Sequence, residues 1–254
     1  MKITFLGTGT SCGVPVIGCT CATCQSPDPR DKRLRCSILV ETDTTRILVD
    51  CGPDFRQQIL PQPFRRIDAI LITHAHYDHV GGLDDIRPYC QFGDIHVYAD
   101  KQACQGMLQM LPYCFAEHRY PGVPAIGLHE ISSGEPFVVG DIGVMPVRVM
   151  HGKLPILGFR FGAFAYITDM KTIDESVLPL LKGVEVLAVN ALRFDNPHHS
   201  HQLVSDAIAF AQQIGARRTL LTHLCHDTGP HIEASCRLSE GVELAYDGLV
   251  LPIS

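Results

Sequence analysis

Short apolar runs, rich in β-branched residues, recur along the chain and are separated by polar or glycine-containing segments. They lie at residues 2–6, 37–41, 46–50, 69–73, 95–99, 143–150, 159–167, 184–190, 219–222 and 242–245. Several are uninterrupted rather than alternating with polar residues, which is typical of strands that are buried on both faces. The pattern predicts a strand at each of these positions.

Helical periodicity appears between the predicted strands. It is clearest at residues 205–214, where apolar positions recur at helical spacing and Gly215 provides a C-terminus for the helix. A second helix is predicted at residues 174–181, although Pro179 weakens its last turn. Strands that alternate with helices indicate an α/β protein built on layered sheets.

The composition is that of a globular protein with a large core. Hydrophobic residues make up 46% of the 254 residues and charged residues 19%, which excludes a mainly disordered chain. No Ser/Gly-rich linker or low-complexity tract divides the sequence. We therefore predict a single domain over residues 1–254.

Charge and targeting signals narrow the function classes. No apolar run reaches the roughly 18 residues that a membrane-spanning helix needs, and the first residues lack the long apolar region and cleavage site of a signal peptide. The formal net charge of −6 argues against a broad surface for nucleic-acid phosphates. We expect a cytoplasmic protein that acts on a small molecule, without a membrane or nucleic-acid partner.

The strongest chemical signal is the segment His74-Ala-His76-Tyr-Asp78-His79, directly after the predicted strand at 69–73. His74 and His76 are two positions apart, so an extended strand end projects both imidazoles to the same side. Asp78 and His79 follow in the turn, and the two glycines that come next let the backbone bend closely around a ligand. Histidine together with carboxylate suits Zn²⁺, Mn²⁺ or Fe²⁺ better than Ca²⁺ or Mg²⁺. The segment therefore predicts a metal site.

A second metal signal comes from cysteine spacing. The chain has 11 cysteines, an odd number in a chain too long for a disulfide-stapled module. Cys19, Cys21 and Cys24 supply three thiolates on one short loop, whereas a structural zinc ion needs four ligands. We predict His226 as the fourth ligand; Cys225 competes, but it is expected to point away from the strand end. The zinc-binding loop then covers about residues 11–35.

The motif H-x-H-x-D-H after a buried strand resembles the signature of the metallo-β-lactamase superfamily, and the likeness extends along the whole chain. The resemblance implies an αββα sandwich, in which two mixed β-sheets face each other with helices outside. It also implies metal ligands at three further strand ends: His151 in VRVMHGK, Asp169 in AYITDM and His223 in TLLTHLCH. Asp50 in ILVDCG would orient the ligands from behind.

The same resemblance implies a binuclear site for two divalent ions, Mn²⁺ or Zn²⁺. One ion would be held by His74, His76 and His151, the other by Asp78, His79 and His223, with Asp169 and a water or hydroxide between them. Paired metal ions lower the pKa of a shared water and stabilise the attacking and leaving oxygens of a displacement. Hydrolysis is the expected chemistry.

Within the superfamily, the segments GTGTSCGVPVIGCTCATC and LLTHLCHD resemble the phosphoribosyl 1,2-cyclic phosphate phosphodiesterases of bacterial phosphonate breakdown. Those enzymes have a catalytic histidine 22 residues before the last metal-ligand histidine, a position that His201 occupies here, with His198 and His199 close enough to be confused with it. The resemblance implies hydroxide attack on a small cyclic phosphodiester. His201, with a pKa near its ordinary value, would protonate the leaving oxygen to give a monoester. We predict His201 and Asp78 as catalytic residues, and the family alone leads us to expect a homodimer.

Two other functions share parts of this pattern. A tRNA 3′-processing nuclease has the metal signature and a histidine before the last strand, but normally adds a Gly/Pro-rich arm and a basic surface that this acidic sequence lacks. The pyrroloquinoline quinone biosynthesis B proteins share the cysteine loop and a segment like GPDFRQQI at residues 52–59, and would use iron or copper in non-hydrolytic chemistry. Those proteins depart from the full metal signature, whereas every ligand is present here, which favours the phosphodiesterase.

Overall fold

The predicted alternation of strands and helices is present, with more elements than the sequence pattern indicates. The computed structural model describes residues 1–116, 118 and 122–253. The strands of this part are β1 (Lys2–Gly7), β2 (Ser37–Glu41), β3 (Arg46–Val49), β4 (Ala69–Leu71), β5 (Ile95–Ala99), β6 (Ile126–Glu130), β7 (Phe137–Val139), β8 (Ile142–His151), β9 (Leu154–Phe161), β10 (Phe164–Ile167), β11 (Val186–Asn190), β12 (Arg218–Thr222), β13 (Val242–Leu244) and β14 (Val250–Pro252). The α-helices are α1 (Ala22–Gln25), α2 (Phe55–Ile59), α3 (Tyr77–Val80), α4 (Lys101–Met110), α5 (Val204–Ile214) and α6 (His231–Ser235), and 3₁₀ helices cover Pro29–Asp31, Leu83–Phe92, Pro112–Cys114, Glu175–Leu181 and His226–Thr228.

The strands form two seven-stranded mixed sheets. Their orders are β14-β1-β2-β3-β4-β5-β6 and β13-β12-β11-β10-β9-β8-β7. Neighbouring strands from β3 to β6 are parallel in the first sheet, and those from β10 to β13 are parallel in the second. The other neighbours are antiparallel. Each sheet therefore has one parallel part, and the carboxyl ends of its parallel strands all lie at the same edge of the sheet.

Each sheet is buried on both faces, which explains the uninterrupted apolar runs. Along β2, Ile38 and Val40 belong to the core that also contains Phe159 and Phe161 of the other sheet. Leu39, between them, belongs to a second core together with residues of α2 and α4. Because successive side chains of a strand point to opposite faces, both kinds of position must be apolar when helices cover the outside.

The helices form the two outer layers. Helices α2 and α4 pack on the first sheet, and α5 and α6 pack on the second. The predicted αββα sandwich is thereby confirmed. None of the helices in the described part of the chain is long and apolar enough to cross a membrane.

Two of the predicted elements differ in the structure. The predicted strand at 159–167 is two antiparallel strands, β9 and β10, because Gly162 adopts a left-handed backbone (φ 59°) and reverses the chain between them. The predicted helix at 174–181 is a 3₁₀ helix, in which Pro179 lacks the N–H that an α-helix would need. The predicted helix at 205–214 is confirmed as α5, and Gly215 ends it in the left-handed conformation.

A buried cluster of charged side chains ties the first three strands together. Glu41 accepts hydrogen bonds from Arg46 (2.8 Å) and Arg65 (3.0 Å), and Lys2 lies 2.9 Å from its second oxygen. The side chains of Glu41 and Arg46 are only 3% and 2% exposed. Removal of the carboxylate would leave the Arg46 guanidinium buried without its counter-ion.

We expect Glu41→Gln to lower the free energy of unfolding by about 3 kcal/mol, the lower end of the range for a broken buried pair, because Lys2 and Arg65 are partly exposed. The measurement is urea denaturation followed by circular dichroism. Glu243→Gln is the matched control, since its pair with Arg218 is exposed and should contribute less than about 1 kcal/mol. Equal midpoints for the two variants would contradict the prediction.

Candidate metal centre

Two turns pack tightly against each other at the carboxyl ends of β3 and β4. The turn after β4 carries His74 and His76 and continues into the single-turn helix α3. The turn after β3 lies against it: a side chain at Gly52 would collide with the carbonyl oxygen of Asp78, and one at Gly82 with the carbonyl oxygen of Gly52. Only glycine permits this approach. The contact fixes the position of the histidine-rich segment.

Asp50 orients His79 from behind. The Nδ1 atom of His79 lies 2.7 Å from Asp50 Oδ2, while the backbone N–H of Thr73 donates to Asp50 Oδ1 at 2.9 Å. The opposite ring atom, His79 Nε2, lies 3.2 Å from Asp78 Oδ2 and 3.3 Å from Asp169 Oδ2. A carboxylate on one imidazole nitrogen is the arrangement that fixes the ring of a metal-binding histidine.

The second sheet contributes side chains from the ends of β8, β10 and β12. His151 Nδ1 faces two carbonyl oxygens, those of Asp169 (2.8 Å) and Ser200 (3.0 Å), so it donates to the backbone and leaves Nε2 available. His223 Nε2 lies 3.0 Å from Asp169 Oδ1. Asp169 thus has one carboxylate oxygen near His223 and the other near His79.

The structure brings all seven predicted catalytic-metal residues together in overlapping groups. Within each group the candidate ligand atoms lie within 4.8 Å of one another, and the groups are His74, His76 and His151; His74, His79 and Asp169; and Asp78, His79 and His223. His74 Nε2 and His76 Nδ1 are 2.9 Å apart. Asp169 lies between the groups, because it also meets His151 and His201 in a fourth one.

Three residues of the centre have a strained backbone. Asp50 (φ 60°), Asp169 (φ 57°) and His223 (φ 55°) all adopt the left-handed region within two residues of a strand end. Residues other than glycine adopt this backbone conformation at a cost in free energy, although Asp and His tolerate it better than most. The sharp turn at each strand end lets the side chain face the gap between the sheets' edges. Residue spacing alone does not reveal this feature.

Buried carboxylates give the centre a strong demand for positive charge. Burial raises the pKa of Asp169, but the imidazoles of His223 and His79 outweigh it and hold that pKa well below its ordinary value. Burial lowers the pKa of His79, yet Asp50, Asp169 and Asp78 together raise it well above its ordinary value. The carboxylates can be balanced by a proton on His79 or by bound cations. Metal ions would supply that charge and release the proton.

Several ring nitrogens of the centre fit metal binding. His79 Nε2, both ring nitrogens of His223, and His201 Nδ1 are buried without a hydrogen-bond partner among the described residues. Unsatisfied buried polar atoms are rare and costly. Three of these, His79 Nε2, His223 Nε2 and His201 Nδ1, lie 3.0 to 3.7 Å from the Asp169 carboxylate without making a hydrogen bond to it. A set of imidazole nitrogens and carboxylate oxygens matches the ligand preference of Zn²⁺ and Mn²⁺. The residues present therefore fit divalent metal ions.

His201 lies against the same cluster, just before α5. Its ring stacks on that of His223 at 4.7 Å between centroids and lies 4.7 Å from that of His151, while Nδ1 is 3.7 Å from Asp169 Oδ1. Burial lowers its pKa to about 3, helped by His223 and opposed by Asp169. The expectation of a pKa near the ordinary value is therefore wrong for this environment, and His201 is neutral at neutral pH in the free chain.

Two positioning residues were missed by the sequence reasoning. Thr73 donates its backbone N–H and its hydroxyl to Asp50, and its hydroxyl lies 3.0 Å from His74 Nδ1. Lys171 donates from Nζ to the carbonyl oxygen of His201 at 3.1 Å. Their only sequence signal is adjacency to predicted ligands, one residue before His74 and two after Asp169.

The three cysteines of the amino-terminal loop meet His226. His226 Nδ1 lies 3.2 Å from Cys19 Sγ and 3.4 Å from Cys21 Sγ, and Cys24 completes a group whose ligand atoms are within 4.8 Å. A hydrogen bond from the Cys24 backbone lowers the pKa of the Cys21 thiol to about 6, against the effect of burial and with help from His226. Cys225, the competing ligand, is outside this group.

Comparison with known proteins identifies relatives along the whole chain. Residues 45–224 match the family model described as "Beta-lactamase superfamily domain". An octanoyltransferase of Porphyromonas gingivalis (strain ATCC BAA-308 / W83) is 44% identical over 250 residues, which are 98% of this chain and 51% of that protein. A ribonuclease Z of Bradyrhizobium sp. (strain ORS 278) is 30% identical over 139 residues, 52% of this chain and 46% of the relative. The chain thus spans about half the length of these curated relatives.

A solved structure matches nearly all of the chain. It is described as a new diphosphatase from the PhnP family, and it superposes with a TM-score of 0.91 at 38% sequence identity. The alignment covers 98% of this chain and 96% of the other.

Proposed function

Because the chain belongs to the metallo-β-lactamase superfamily, we propose that it is a metal-dependent hydrolase that opens a small cyclic phosphodiester, of the 5-phosphoribosyl 1,2-cyclic phosphate type, to a phosphomonoester. The observation that carries the proposal is that buried imidazole nitrogens of His79 and His223, which make no hydrogen bond, meet at the Asp169 carboxylate beside the stacked ring of His201. The set offers metal ligands and a proton-transfer group at one edge of the sandwich.

In this proposal the seven clustered side chains hold two divalent metal ions. His74, His76 and His151 would hold one ion, Asp78, His79 and His223 would hold the other, and Asp169 groups with residues of both sets. Such ions, Mn²⁺ or Zn²⁺, would activate a water molecule and offset the charge that develops on the phosphoryl oxygens. Asp78 is a catalytic residue here in the sense that it holds one of the ions.

The remaining proton transfer is assigned to His201. Attack of water on phosphorus forms one P–O bond and releases a proton from the water, while one of the two ring P–O bonds breaks and the leaving sugar oxygen must gain a proton. In the protein without substrate, burial lowers the pKa of His201, so its ring is neutral at neutral pH. The negative charge of a bound phosphodiester favours its protonated form, so substrate binding would prepare the ring to donate.

The names of the relatives suggest two other reactions. A diphosphatase also cleaves a P–O bond, so a small diphosphate ester is the second candidate substrate, favoured by the 0.91 TM-score. Octanoyl transfer has less support, because the name applies to a protein about twice as long. The buried cysteine against the centre, Cys36, is also a poor nucleophile, since burial raises the pKa of its thiol to about 12.

The test is phosphorus NMR of manganese-loaded protein with 5-phosphoribosyl 1,2-cyclic phosphate, a nucleoside diphosphate sugar and a short tRNA precursor in parallel. Conversion of the cyclic ester to a monoester supports the proposal, and chelator-treated protein serves as the control. Selective cleavage of the diphosphate would move the chain to the diphosphatase reaction, and cleavage of the RNA to the nuclease one. No turnover of any substrate by metal-loaded protein would reject hydrolysis and favour the oxidative chemistry of the quinone biosynthesis proteins.

We assign a structural zinc ion to Cys19, Cys21, Cys24 and His226. We propose that this zinc-binding loop helps to position the metal centre. The Thr10 N–H near the loop donates to the carbonyl oxygen of Leu224, the residue directly after His223. Cys19, Cys21 and Cys24 lie close together as free thiols rather than in disulfides, which supports the proposed location in the reducing cytoplasm.

We expect Cys21→Ser to remove one tightly bound zinc per chain and to lower the melting temperature, because three ligands hold zinc far more weakly than four. Zinc content is measured by plasma mass spectrometry after dialysis. Cys236→Ser is the matched control, since Cys236 is exposed and lies outside the group. Unchanged zinc content in Cys21→Ser would contradict the assignment.

A further inference from the structure

A cavity of about 330 Å³ opens beside the metal centre. The imidazoles of His74 and His76 form one side, helix α4 forms the opposite side, and Leu154 and Pro155 complete the lining from the second sheet. Its volume is at the lower end of the range for ligand sites, about 300–1,000 Å³, which suits one sugar or nucleoside rather than a polymer. A group in this cavity would adjoin a phosphodiester bound at the centre.

Helix α4 presents a row of carboxamides to the cavity. Gln102, Gln105 and Gln109 all line it, and their spacing of three and four residues places them on one face of the helix. All three are exposed, and none has a hydrogen-bond partner within the part of the chain that the structure describes. Three free carboxamides beside a reactive centre offer both donors and acceptors to a ligand.

A glycine brings this helix close to the metal-binding turn. A side chain at Gly106 would place its Cβ atom 2.5 Å from the Cβ atom of Ala75, which lies between the first two histidines of the signature. Glycine inside a helix costs about 1 kcal/mol relative to alanine, and here it permits the close contact. The row of carboxamides is therefore held at a fixed distance from His74 and His76.

The chemistry of the lining favours an uncharged polar ligand. The described residues that line the cavity include no Lys or Arg, and the carboxylate of Asp100 already accepts a hydrogen bond from the Ala103 backbone at 2.7 Å. A phosphate group would find no cation there, whereas hydroxyl groups pair with carboxamides in either direction. Apolar Leu154 and Pro155 suit the carbon face of a sugar ring.

We propose that this cavity is the binding site for the uncharged, hydroxyl-bearing sugar of the substrate, and that Gln105 and its two neighbours in the row determine specificity for it. The inference rests on the proposed hydrolase function and adds to it the place and the residues that recognise the sugar part of the substrate. A charged group on that sugar would extend out of the cavity.

The kinetic test compares two substrates with metal-loaded protein. One is α-ribofuranosyl 1,2-cyclic phosphate, and the other is bis(4-nitrophenyl) phosphate, which has no sugar. We expect Gln105→Leu to raise KM for the sugar substrate about three- to tenfold, the effect of one lost hydrogen bond, with kcat and both constants for the nitrophenyl substrate unchanged. Gln213→Leu, the same change on the exposed face of α5, is the control.

A binding measurement separates this inference from the hydrolase proposal. Saturation-transfer NMR with methyl β-ribofuranoside reports sugar binding without turnover, and we expect its signal to weaken in Gln105→Leu but not in Gln213→Leu. Equal kinetic losses on both substrates, or a sugar signal that is absent or unaffected by Gln105→Leu, would overturn the sugar site while leaving hydrolysis intact. Failure to hydrolyse either substrate would reject the hydrolase, and the NMR comparison would still decide the sugar site.

Discussion

Asp169→Asn is expected to lower kcat/KM by about three orders of magnitude or more and to reduce the content of catalytic metal. The Asp169 carboxylate is 2% exposed and reaches His223 with one oxygen and His79 with the other. Asparagine keeps the shape but removes the negative charge that two divalent ions would share. Losing several kcal/mol of charge stabilisation corresponds to a factor of about 10³ or more in rate.

The measurement pairs metal analysis with steady-state rates on the cyclic phosphodiester. Asp43→Asn is the control, because Asp43 carries the same group on an exposed turn between β2 and β3. Circular dichroism of both variants separates a lost metal site from a lost fold. Full metal content and near-parental rates in Asp169→Asn would show that the two groups of ligands do not share this residue.

The ends of the parallel strands explain why much of the centre was predictable. An uninterrupted apolar run indicates a buried strand. The polar residue that follows the run must then lie at the edge of the sheet where the strand ends. Asp50, Asp169 and His223 follow β3, β10 and β12 in this way, so their order along the chain, compared with the family signature, was enough to select them. Their meeting depends on two sheets facing each other, which the family resemblance supplied.

The features that escaped prediction depend on contacts distant in sequence. Helix α4 has apolar residues at helical spacing, Ala103, Cys104 and Met107, which the sequence analysis did not use, but its position beside the metal-binding turn depends on the contact of Gly106 with Ala75. The pKa of His201 is lowered by burial and by His223, which no local pattern records. Strands β6, β7 and β14 are short or lie at sheet edges, where one-sided burial weakens the apolar signal.

His201→Ala is expected to lower kcat for the cyclic ribosyl substrate by about 10²- to 10⁴-fold, the usual contribution of a positioned proton donor, with the metal content unchanged. The loss should be much smaller for bis(4-nitrophenyl) phosphate, because nitrophenolate leaves without a proton. A donor must carry its proton, so kcat of the parent should fall as pH rises through the pKa of His201 in the substrate complex. That alkaline decline should be absent in the variant.

The comparison of the two leaving groups distinguishes a proton-donor role of His201 from a metal-ligand role. His201 also groups with His151 and Asp169 within ligand distance, so it could hold a metal ion instead. In that case His201→Ala would lose metal and would slow both substrates to a similar extent. His199→Ala, an exposed neighbour in the same loop, controls for changes in the loop itself. Retained metal with a selective loss on the ribosyl substrate assigns proton transfer to His201, because no metal ligand would depend on the basicity of the leaving oxygen in this way.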